Sequence, residues 1–356
     1  MNRRINLILF CLGIITFLGC NNKSASHRDS ILAAGDTLPA PLFIDPNYHG
    51  SCDPEIIWNS HEKAWWIFYT ARKGTDENTW VGTPLGVIST HDLKEWEFKG
   101  YCKFDGRGGK PLADETFWAP AIISSEGIYH MFVTYKPESV PNGNPWGGSP
   151  GKIVHYEAPA EDLLNGWKRK GIIHDTSLSA IDATVYQQED LFHVWYKAKV
   201  PGQKNELYHQ VTADFENWEA KGFSKSDVFN KKVTGSGFEE APYIFQWKDA
   251  FWLITDPHKG LFVYKSSDAK NWKFQGTILK EGGKLPMDNS RARHCSVAII
   301  KGRAFIFYHV EPFRLYNGKS VAKQPVMNRR SVLQVAELKM EEGKIICDRN
   351  ATLHIP

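Results

Sequence analysis

Three acidic residues and one histidine occupy matching places in repeated segments of the chain: Asp53, Asp182, Glu240 and His294. Each lies eight to ten positions before a residue typical of a tight turn. Carboxylates brought together by folding repel one another, which raises the pKa of one of them and lets it hold a proton near neutrality. The set therefore has the composition of a proton-transfer site with an acid and a base.

The segments that carry these residues repeat five times. In each, a β-rich run leads through a turn into an aromatic run, as in Asp190-Leu-Phe-His-Val-Trp-Tyr196. The five turn residues are separated by 64, 63, 59 and 53 positions: Lys63, Gly127, Asp190, Asp249 and Gly302. Five hairpins of one design indicate five equivalent structural units.

A second pattern follows the first four hairpins, namely an aspartate, a tryptophan and then a glycine. Its copies begin at Asp92, Asp162, Asp214 and Asp268. We expect a turn opened by the aspartate, a tryptophan packed between sheets and a glycine turn into the next strand. Short units with about four strands each are typical of propeller blades. The sequence therefore predicts an all-β fold, a five-bladed β-propeller.

The first strand of each propeller blade lines the central channel, so equivalent positions should converge on the axis. Counting back from the five turns gives one residue per blade: Asp53, Trp118, Asp182, Glu240 and His294. Burying three carboxylates and a histidine at one level costs solvation free energy. This cost indicates a functional site at one end of the channel.

The phrases SCDPEI, IDATVY and EEAPYIF resemble the three acid motifs of glycoside hydrolase family 43. The phrase from Ser89 to Trp96 and the phrase RHCSVAII, with a later FYH, are similar to that family too. The resemblance covers about residues 40–340. It implies an inverting glycoside hydrolase acting on plant- or algal-type poly- and oligosaccharides, with arabinose- or xylose-containing chains favoured.

The resemblance also implies roles for the acids. Asp53 would be the general base that activates water, and Glu240 the general acid that protonates the leaving oxygen. Asp182 would hold Glu240 in place and keep its pKa high. Inverting hydrolysis requires acid and base about 6.5–9.5 Å apart with water between them.

Further residues are candidates for substrate contact. Trp118, Phe238 and Tyr243 could stack on sugars, and Arg293 could orient hydroxyl or carboxylate groups. His294 resembles the central histidine of the family, which can ligate calcium, so the resemblance makes it the candidate for a structural Ca²⁺ site. We expect the reaction to require no cofactor. Two insertions, 137–151 and 311–326, should lie at the mouth of the site.

Two other classes of protein stay open. One is a related propeller glycosidase, such as an anhydrogalactosidase acting on agar oligosaccharides or a retaining fructosidase. Ile44-Asp45-Pro46-Asn47 hints at the fructosidase nucleophile motif but lacks its preceding Asn and following Gly. The other is a non-catalytic glycan-binding propeller, although three converging carboxylates argue against it.

The N-terminal residues predict export. Arg3-Arg4 precedes an apolar run, Ile5 to Leu18, and Gly19-Cys20 resembles a bacterial lipoprotein processing site. We interpret 1–19 as a lipoprotein signal peptide, Cys20 as the acylated residue, 20–38 as a flexible tether and 39–356 as the catalytic domain. We expect a monomer in the cell envelope, periplasmic or on the outer-membrane surface, touching the membrane only through its lipid.

Charge and cysteine content limit the partners further. The chain has 43 Lys+Arg against 40 Asp+Glu without basic runs, which argues against nucleic acid and leaves a carbohydrate as the expected partner. Beyond the leader, the cysteines form no CxxC pair, so a zinc site built on them is not expected. We predict mostly free, buried thiols for Cys52, Cys102, Cys295 and Cys347.

Overall fold

The computed structural model of the protein describes residues 37–47, 50–72, 80–140, 143–199, 205–224, 227–318 and 323–354. The predicted signal peptide, Cys20 and the tether up to residue 36 lie outside the described residues and stay predictions. No helix among the described residues is both long and apolar enough to cross a bilayer.

In the described part of the chain, 22 strands form five four-stranded antiparallel sheets and one two-stranded ribbon. Blade 1 has β1 Ser51–Asn59, β2 Ala64–Ala71, β3 Leu85–Thr90 and β4 Glu97–Tyr101. The ribbon has β5 Lys103–Phe104 and β6 Arg107–Gly108. Blade 2 has β7 Thr116–Ser125, β8 Ile128–Lys136, β9 Lys152–Pro159 and β10 Lys168–Ile172.

Blade 3 has β11 Ser179–Gln188, β12 Leu191–Lys199, β13 Asn205–Thr212 and β14 Glu219–Phe223. Blade 4 has β15 Glu240–Trp247, β16 Ala250–Asp256, β17 Leu261–Ser266 and β18 Lys273–Ile278. Blade 5 has β19 Arg293–Ile300, β20 Arg303–Val310, β21 Val332–Glu341 and β22 Lys344–Cys347. A single helical turn, α1 Lys231–Thr234, and two 3₁₀ turns, Ala160–Asp162 and Val326–Arg329, complete the described elements. The predicted five-bladed β-propeller is confirmed.

The hydrophobic core is divided into five clusters, one between each pair of neighbouring blades. Strand β2 shows how alternation builds them. Trp66 and Phe68 point toward blade 2, whereas Ile67 and Tyr69 point toward blade 5. Successive side chains of a strand face opposite sides, so a middle strand needs an apolar residue at nearly every position. The aromatic strands of the repeat supply these residues.

The ring is closed by the segment that precedes β1. The backbone N–H of Leu42 donates to the Leu333 carbonyl at 2.8 Å, and the Leu333 N–H donates to the Phe43 carbonyl at 3.0 Å. Thr37 also forms a β-bridge with His354, so the two ends of the described chain meet on blade 5. Blade 5 is thereby tied to the residues that lead into blade 1.

The Asp-Trp-Gly motif is explained by its hydrogen bonds. The Asp268 carboxylate accepts from the backbone N–H groups of Lys270 (2.9 Å) and Asn271 (2.8 Å), which makes the expected turn. Trp272 is fully buried. The glycine prediction was wrong in one respect: Gly276 lies within β18 at a β-bulge, with positive φ, rather than in a turn before the strand. A glycine suits that position because it has no Cβ.

The cysteines agree with the prediction. Cys52, Cys102, Cys295 and Cys347 are free thiols, and all but Cys347 are buried.

Below the predicted site, side chains of one blade accept hydrogen bonds from the first strand of a neighbouring blade. The N–H of Ile122 in blade 2 donates to Glu55 Oε1 in blade 1 at 3.0 Å. Glu55 is only 6% exposed. Burial raises the pKa of Glu55 to about 8, outweighing the hydrogen bond from Ile122 and the charge of His294. Glu55 is therefore a neutral acid at pH 7.

This burial predicts a pH-dependent stability for Glu55→Gln. The folded pKa of Glu55 is raised above its ordinary value of 4.5, so wild-type stability is full below that value and falls as pH rises toward 8. Between pH 4 and pH 7 we expect the free energy of unfolding of the variant to rise by roughly 3 kcal/mol relative to that of the wild type. Urea unfolding of both proteins across this range measures the difference, and parallel pH curves would contradict it.

Candidate active site

Each of the five first strands contains a β-bulge at the level of the predicted site. A bulge places an extra residue in one strand and redirects its side chains. Four residues at these bulges adopt positive φ without being glycine: Asp53, Ala119, Asp182 and Ala241. Such conformations cost free energy and occur mainly at functional sites. The local strain is thus concentrated where the candidate residues converge.

The bulges surround a cavity of about 410 Å³. All five residues predicted to converge line it: Asp53, Trp118, Asp182, Glu240 and His294. The predicted contact residues Phe238 and Arg293 line it as well. Glu239, next to Glu240, points the other way and accepts hydrogen bonds from the hydroxyls of Thr255 and Tyr264.

The second strands contribute a matching set of residues that sequence reasoning missed. Each lies seven positions after its turn: Thr70, Thr134, Lys197, Asp256 and His309. All but Thr134 line the cavity. The turn register that located the first-strand residues, extended forward by seven, would have found them.

Four of these side chains bind the bulged backbone of the next blade. The hydroxyls of Thr70 and Thr134 accept from the N–H groups of Ala119 and Asp182, each at 2.9 Å. Asp256 accepts from the N–H of His294 at 3.2 Å. His309 Nδ1 accepts from the N–H of Asp53, also at 3.2 Å. A bulge disrupts the strand ladder, and these bonds satisfy the buried backbone donors at it.

Asp53 is held as a carboxylate chiefly by His294. His294 Nδ1 lies 3.3 Å and His309 Nδ1 3.7 Å from Asp53 Oδ1. Burial alone would raise the pKa of Asp53, but the charge and hydrogen bond of His294, with Arg72 and His309, hold it well below its usual range. In turn, Asp53 raises the pKa of His294 to about 9 against the effect of burial. Burial lowers the pKa of His309 to about 3, which leaves its Nδ1 able to accept.

Glu240 is surrounded by nitrogen atoms of three side chains. Its carboxylate lies 3.1 Å from Lys197 Nζ, 2.5 Å from His258 Nε2 and 3.5 Å from an Arg293 Nη2. Burial would raise the pKa of Glu240, but these three side chains hold it well below its usual range. Lys197 has the largest electrostatic effect of the three.

Asp182 differs from its two partners. Among the described residues, no Lys, Arg or His nitrogen lies within 4.0 Å of its carboxylate. Burial, and then the charge of Glu240, raise the pKa of Asp182 to about 7. These directions are opposite to the expectation that Asp182 would keep the pKa of Glu240 high. Lys197, His258 and Arg293 stabilise the Glu240 charge, and the Asp182–Glu240 pair shares one proton near neutrality.

An ionic network supports one wall of the cavity. Arg293 Nε donates to Asp256 Oδ2 at 2.6 Å, and its Nη1 lies 3.4 Å from Glu311 Oε2. Glu311 also pairs with Arg72 at 2.7 Å and with Arg314. Arg293 is thus engaged by acids on three sides, which fixes its guanidinium beside Glu240. Glu311 and Arg314 come from the predicted insertion 311–326, whose residues 319–322 lie outside the described residues.

A tryptophan cluster forms another part of the cavity lining. The Trp118 indole N–H donates to the Trp80 carbonyl at 2.8 Å. Trp146, from the predicted insertion 137–151, stacks on Trp80 with ring centroids 5.0 Å apart. Trp146 is 46% exposed, so one face is accessible to a ligand. On another side Phe238 packs edge-on against His258, with Lys197 Nζ 4.4 Å from its ring centroid.

Tyr243 does not line the cavity, contrary to the prediction that it contacts substrate. Its hydroxyl donates to the Val297 carbonyl at 3.2 Å, and its ring packs against the core between blades 4 and 5. The bulge between Glu240 and Tyr243 explains the difference. It places Tyr243 at the level of Glu55, below the cavity, where side chains join neighbouring blades.

The surroundings of His294 do not fit a calcium ligand. Calcium takes six to eight oxygen ligands. His294 Nδ1 faces Asp53, and the raised pKa of His294 makes the ring a cation at neutral pH. Among the described residues, two clusters of metal-ligand type occur, and neither includes His294.

Fold and site together define the class of protein: a five-bladed β-propeller whose acid residues converge at one end of the channel. The sequence model of "Glycosyl hydrolases family 43" matches residues 77–256, half of the 356-residue chain. The chain belongs to glycoside hydrolase family 43. No curated protein sequence matches it.

Solved structures share this fold at low sequence identity. A thermostable family-43 glycoside hydrolase is 17% identical, with a TM-score of 0.61 over 88% of this chain and 99% of that one. An α-L-arabinofuranosidase from Lactobacillus brevis is 14% identical, with a TM-score of 0.57 over 84% and 94%. A β-xylosidase/α-arabinofuranosidase from a compost metagenome, solved with xylotriose, is 14% identical, with a TM-score of 0.59 over 85% and 96%.

The Asp53–His294 ion pair yields a prediction that needs no substrate. In Asp53→Asn we expect the pKa of His294 to fall from about 9 toward 6.5, because burial lowers it once the Asp53 charge is removed. NMR of histidine-labelled protein across pH measures this. His130, whose pKa burial lowers to about 4, is the internal control and should not change. An unchanged His294 would show that Asp53 does not stabilise the imidazolium.

Proposed function

We propose that the protein is an inverting glycoside hydrolase acting on plant-type poly- and oligosaccharides, with arabinose- or xylose-containing chains as the favoured substrates. The observation that carries the proposal is the unequal protonation of the three acids. Asp53 is ionised, as a base must be, while Asp182 and Glu240 together hold one proton near neutrality. One cavity thus contains both a proton acceptor and a proton donor.

The reaction follows from these roles. Asp53 accepts a proton from water as the water oxygen forms a bond to the anomeric carbon. The bond to the leaving oxygen breaks on the opposite face, and that oxygen takes the proton held by Asp182 and Glu240. We assign delivery to Glu240, with Asp182 as its proton reservoir. Lys197, His258 and Arg293 orient the Glu240 carboxylate at the moment of transfer.

The substrate assignment is supported by the cavity and by proteins of the same fold. Trp118 and Trp146 offer aromatic surfaces, and Phe238 a third, around polar groups that can bind hydroxyls. Structures of similar fold include an α-L-arabinofuranosidase and an enzyme solved with xylotriose. Both support arabinose- or xylose-containing substrates as the first to test.

The fructosidase alternative is weakened by the position of Asp45. Asp45 is fully buried and accepts hydrogen bonds from the hydroxyls of Tyr69 (2.7 Å) and Tyr101 (3.0 Å). It does not line the cavity. This residue supports the closure of the ring, which is a structural role rather than that of a nucleophile.

Two substitutions test catalysis directly. We expect Asp53→Asn and Glu240→Gln each to lower kcat by about 10³-fold or more, because each removes one proton-transfer partner. Aryl arabinosides, aryl xylosides, arabinan, xylan and agar oligosaccharides are the substrates to screen. NMR of the first-formed sugar should show an inverted anomeric centre.

Asp45→Asn is the matched control. Asp45 lies outside the cavity, so this substitution should leave the anomeric configuration of the product unchanged. Full activity in either active-site variant would refute the assigned roles. A retained anomeric configuration would contradict the inverting mechanism. A glycan-binding protein without activity would bind the same polysaccharides but release no sugar from any of them.

The shared proton predicts the pH profile of kcat/KM. Activity should fall as pH rises through about 7, where Asp182 releases its proton, and should persist at acidic pH because Asp53 stays ionised there. In Asp182→Asn the cations around Glu240 keep it ionised at neutral pH, so the descending limb should move to lower pH. An unchanged limb in the variant would exclude Asp182 as the reservoir.

A further inference from the structure

Blade 2 contains a buried pair of histidines that the catalytic proposal does not use. His130 on β8 and His155 on β9 are 6% and 1% exposed, and His130 Nδ1 lies 3.0 Å from His155 Nε2. The Phe215 ring stacks on His130 at 3.6 Å between centroids, and Phe132 stacks on His155 at 5.0 Å. These aromatic contacts fix the orientation of both imidazoles.

A carboxylate completes the group. Glu157 Oε1 lies 3.5 Å from His130 Nδ1 and 3.8 Å from His155 Nε2. Ligands about 2.0–2.1 Å from a tetrahedral zinc ion are about 3.3–3.4 Å from one another. The three observed separations bracket that value. The Glu157 side chain is 25% exposed, so the group opens to solvent on one side.

The two facing ring nitrogens lie at hydrogen-bonding distance, so one of them carries a hydrogen and the other accepts it. Each ring has a second nitrogen, and moving that hydrogen there leaves both facing nitrogens available to a metal ion. Lys170 Nζ contacts the other oxygen of Glu157 at 3.1 Å and would be the local competitor of a cation.

Blade 3 supplies an internal comparison. His193 Nδ1 and His209 Nε2 are also 3.0 Å apart, and Trp195 stacks on His209 at 3.8 Å. The strand partner of His193 is Val211, whereas the partner of His130 is Glu157. The histidine pair is therefore a packing arrangement common to both blades. The carboxylate that turns such a pair into three ligands is present in blade 2.

We propose that His130, His155 and Glu157 bind a divalent transition-metal ion, with Zn²⁺ as the best fit and water as its fourth ligand. Two imidazoles and one carboxylate are a known ligand set for zinc. None of the three residues lines the catalytic cavity. The ion would join β8 to β9 and stabilise blade 2, independently of glycoside hydrolysis.

Metal titration of the purified full chain tests this. After chelator treatment we expect about one equivalent of Zn²⁺ to bind in competition with a chromophoric chelator, and Co²⁺ to give the visible absorption of a tetrahedral site. Glu157→Val, which copies blade 3, should weaken zinc binding at least about 100-fold and abolish the Co²⁺ bands. Its glycoside hydrolase activity should be unchanged.

Two control variants separate the alternatives. Lys170→Gln should retain or tighten zinc binding, because it removes the competing cation while leaving all three ligands. His258→Gln should have no effect on it, although Glu240, Asp256 and His258 form the other described cluster of ligand type. The proposal is overturned if the wild type binds no zinc at micromolar concentration, or if binding survives Glu157→Val or is lost in His258→Gln.

Discussion

The active end of this propeller depends on five side-chain links between neighbouring blades. Each first strand is bulged, and in four blades the bulged backbone N–H is bound by a side chain from the second strand of the preceding blade. In the remaining case Lys197 of blade 3 contacts the Glu240 carboxylate of blade 4. A bulge without its partner would leave a buried donor unsatisfied, at a cost of about 1–3 kcal/mol. The strained conformations that aim the acids inward therefore exist only in the closed ring.

The same ring determines which acid keeps a proton. Five carboxylates line one cavity, and like charges in a low-dielectric interior repel strongly. Among the described residues, Asp53, Glu240, Asp256 and Glu311 each have a cationic nitrogen within 4.0 Å, and Asp182 has none. A proton on Asp182 therefore relieves the repulsion among these five acids most effectively. The functional asymmetry of the acids results from where Lys, Arg and His side chains fall on the neighbouring blades.

The period of the repeat was enough to predict the blades and the five residues that converge at the channel. It could not predict their electrostatics, because the groups that control Glu240 come from three other elements. Position seven after each turn is occupied by Thr, Thr, Lys, Asp and His, so no single residue type marks it in the sequence. The alternation of side chains along a strand also gave a wrong position for Tyr243, because it takes no account of the residue inserted at the bulge. Trp146 lies on a long insertion, whose path over the cavity depends on Trp80 of another blade.

The bridge between Thr37 and His354 bears on how this domain could be reused. Thr37 and His354 are bridged, so the two ends of the described chain are separated by little more than the width of one strand pair. Adjacent termini of this kind tolerate circular permutation and insertion into a host loop. The segment before β1 closes the ring by pairing with blade 5. In a permutant whose new termini lie between two other blades, this segment would become an internal connection and the pairing would be kept. We therefore expect the propeller to tolerate permutation without redesign of its catalytic end.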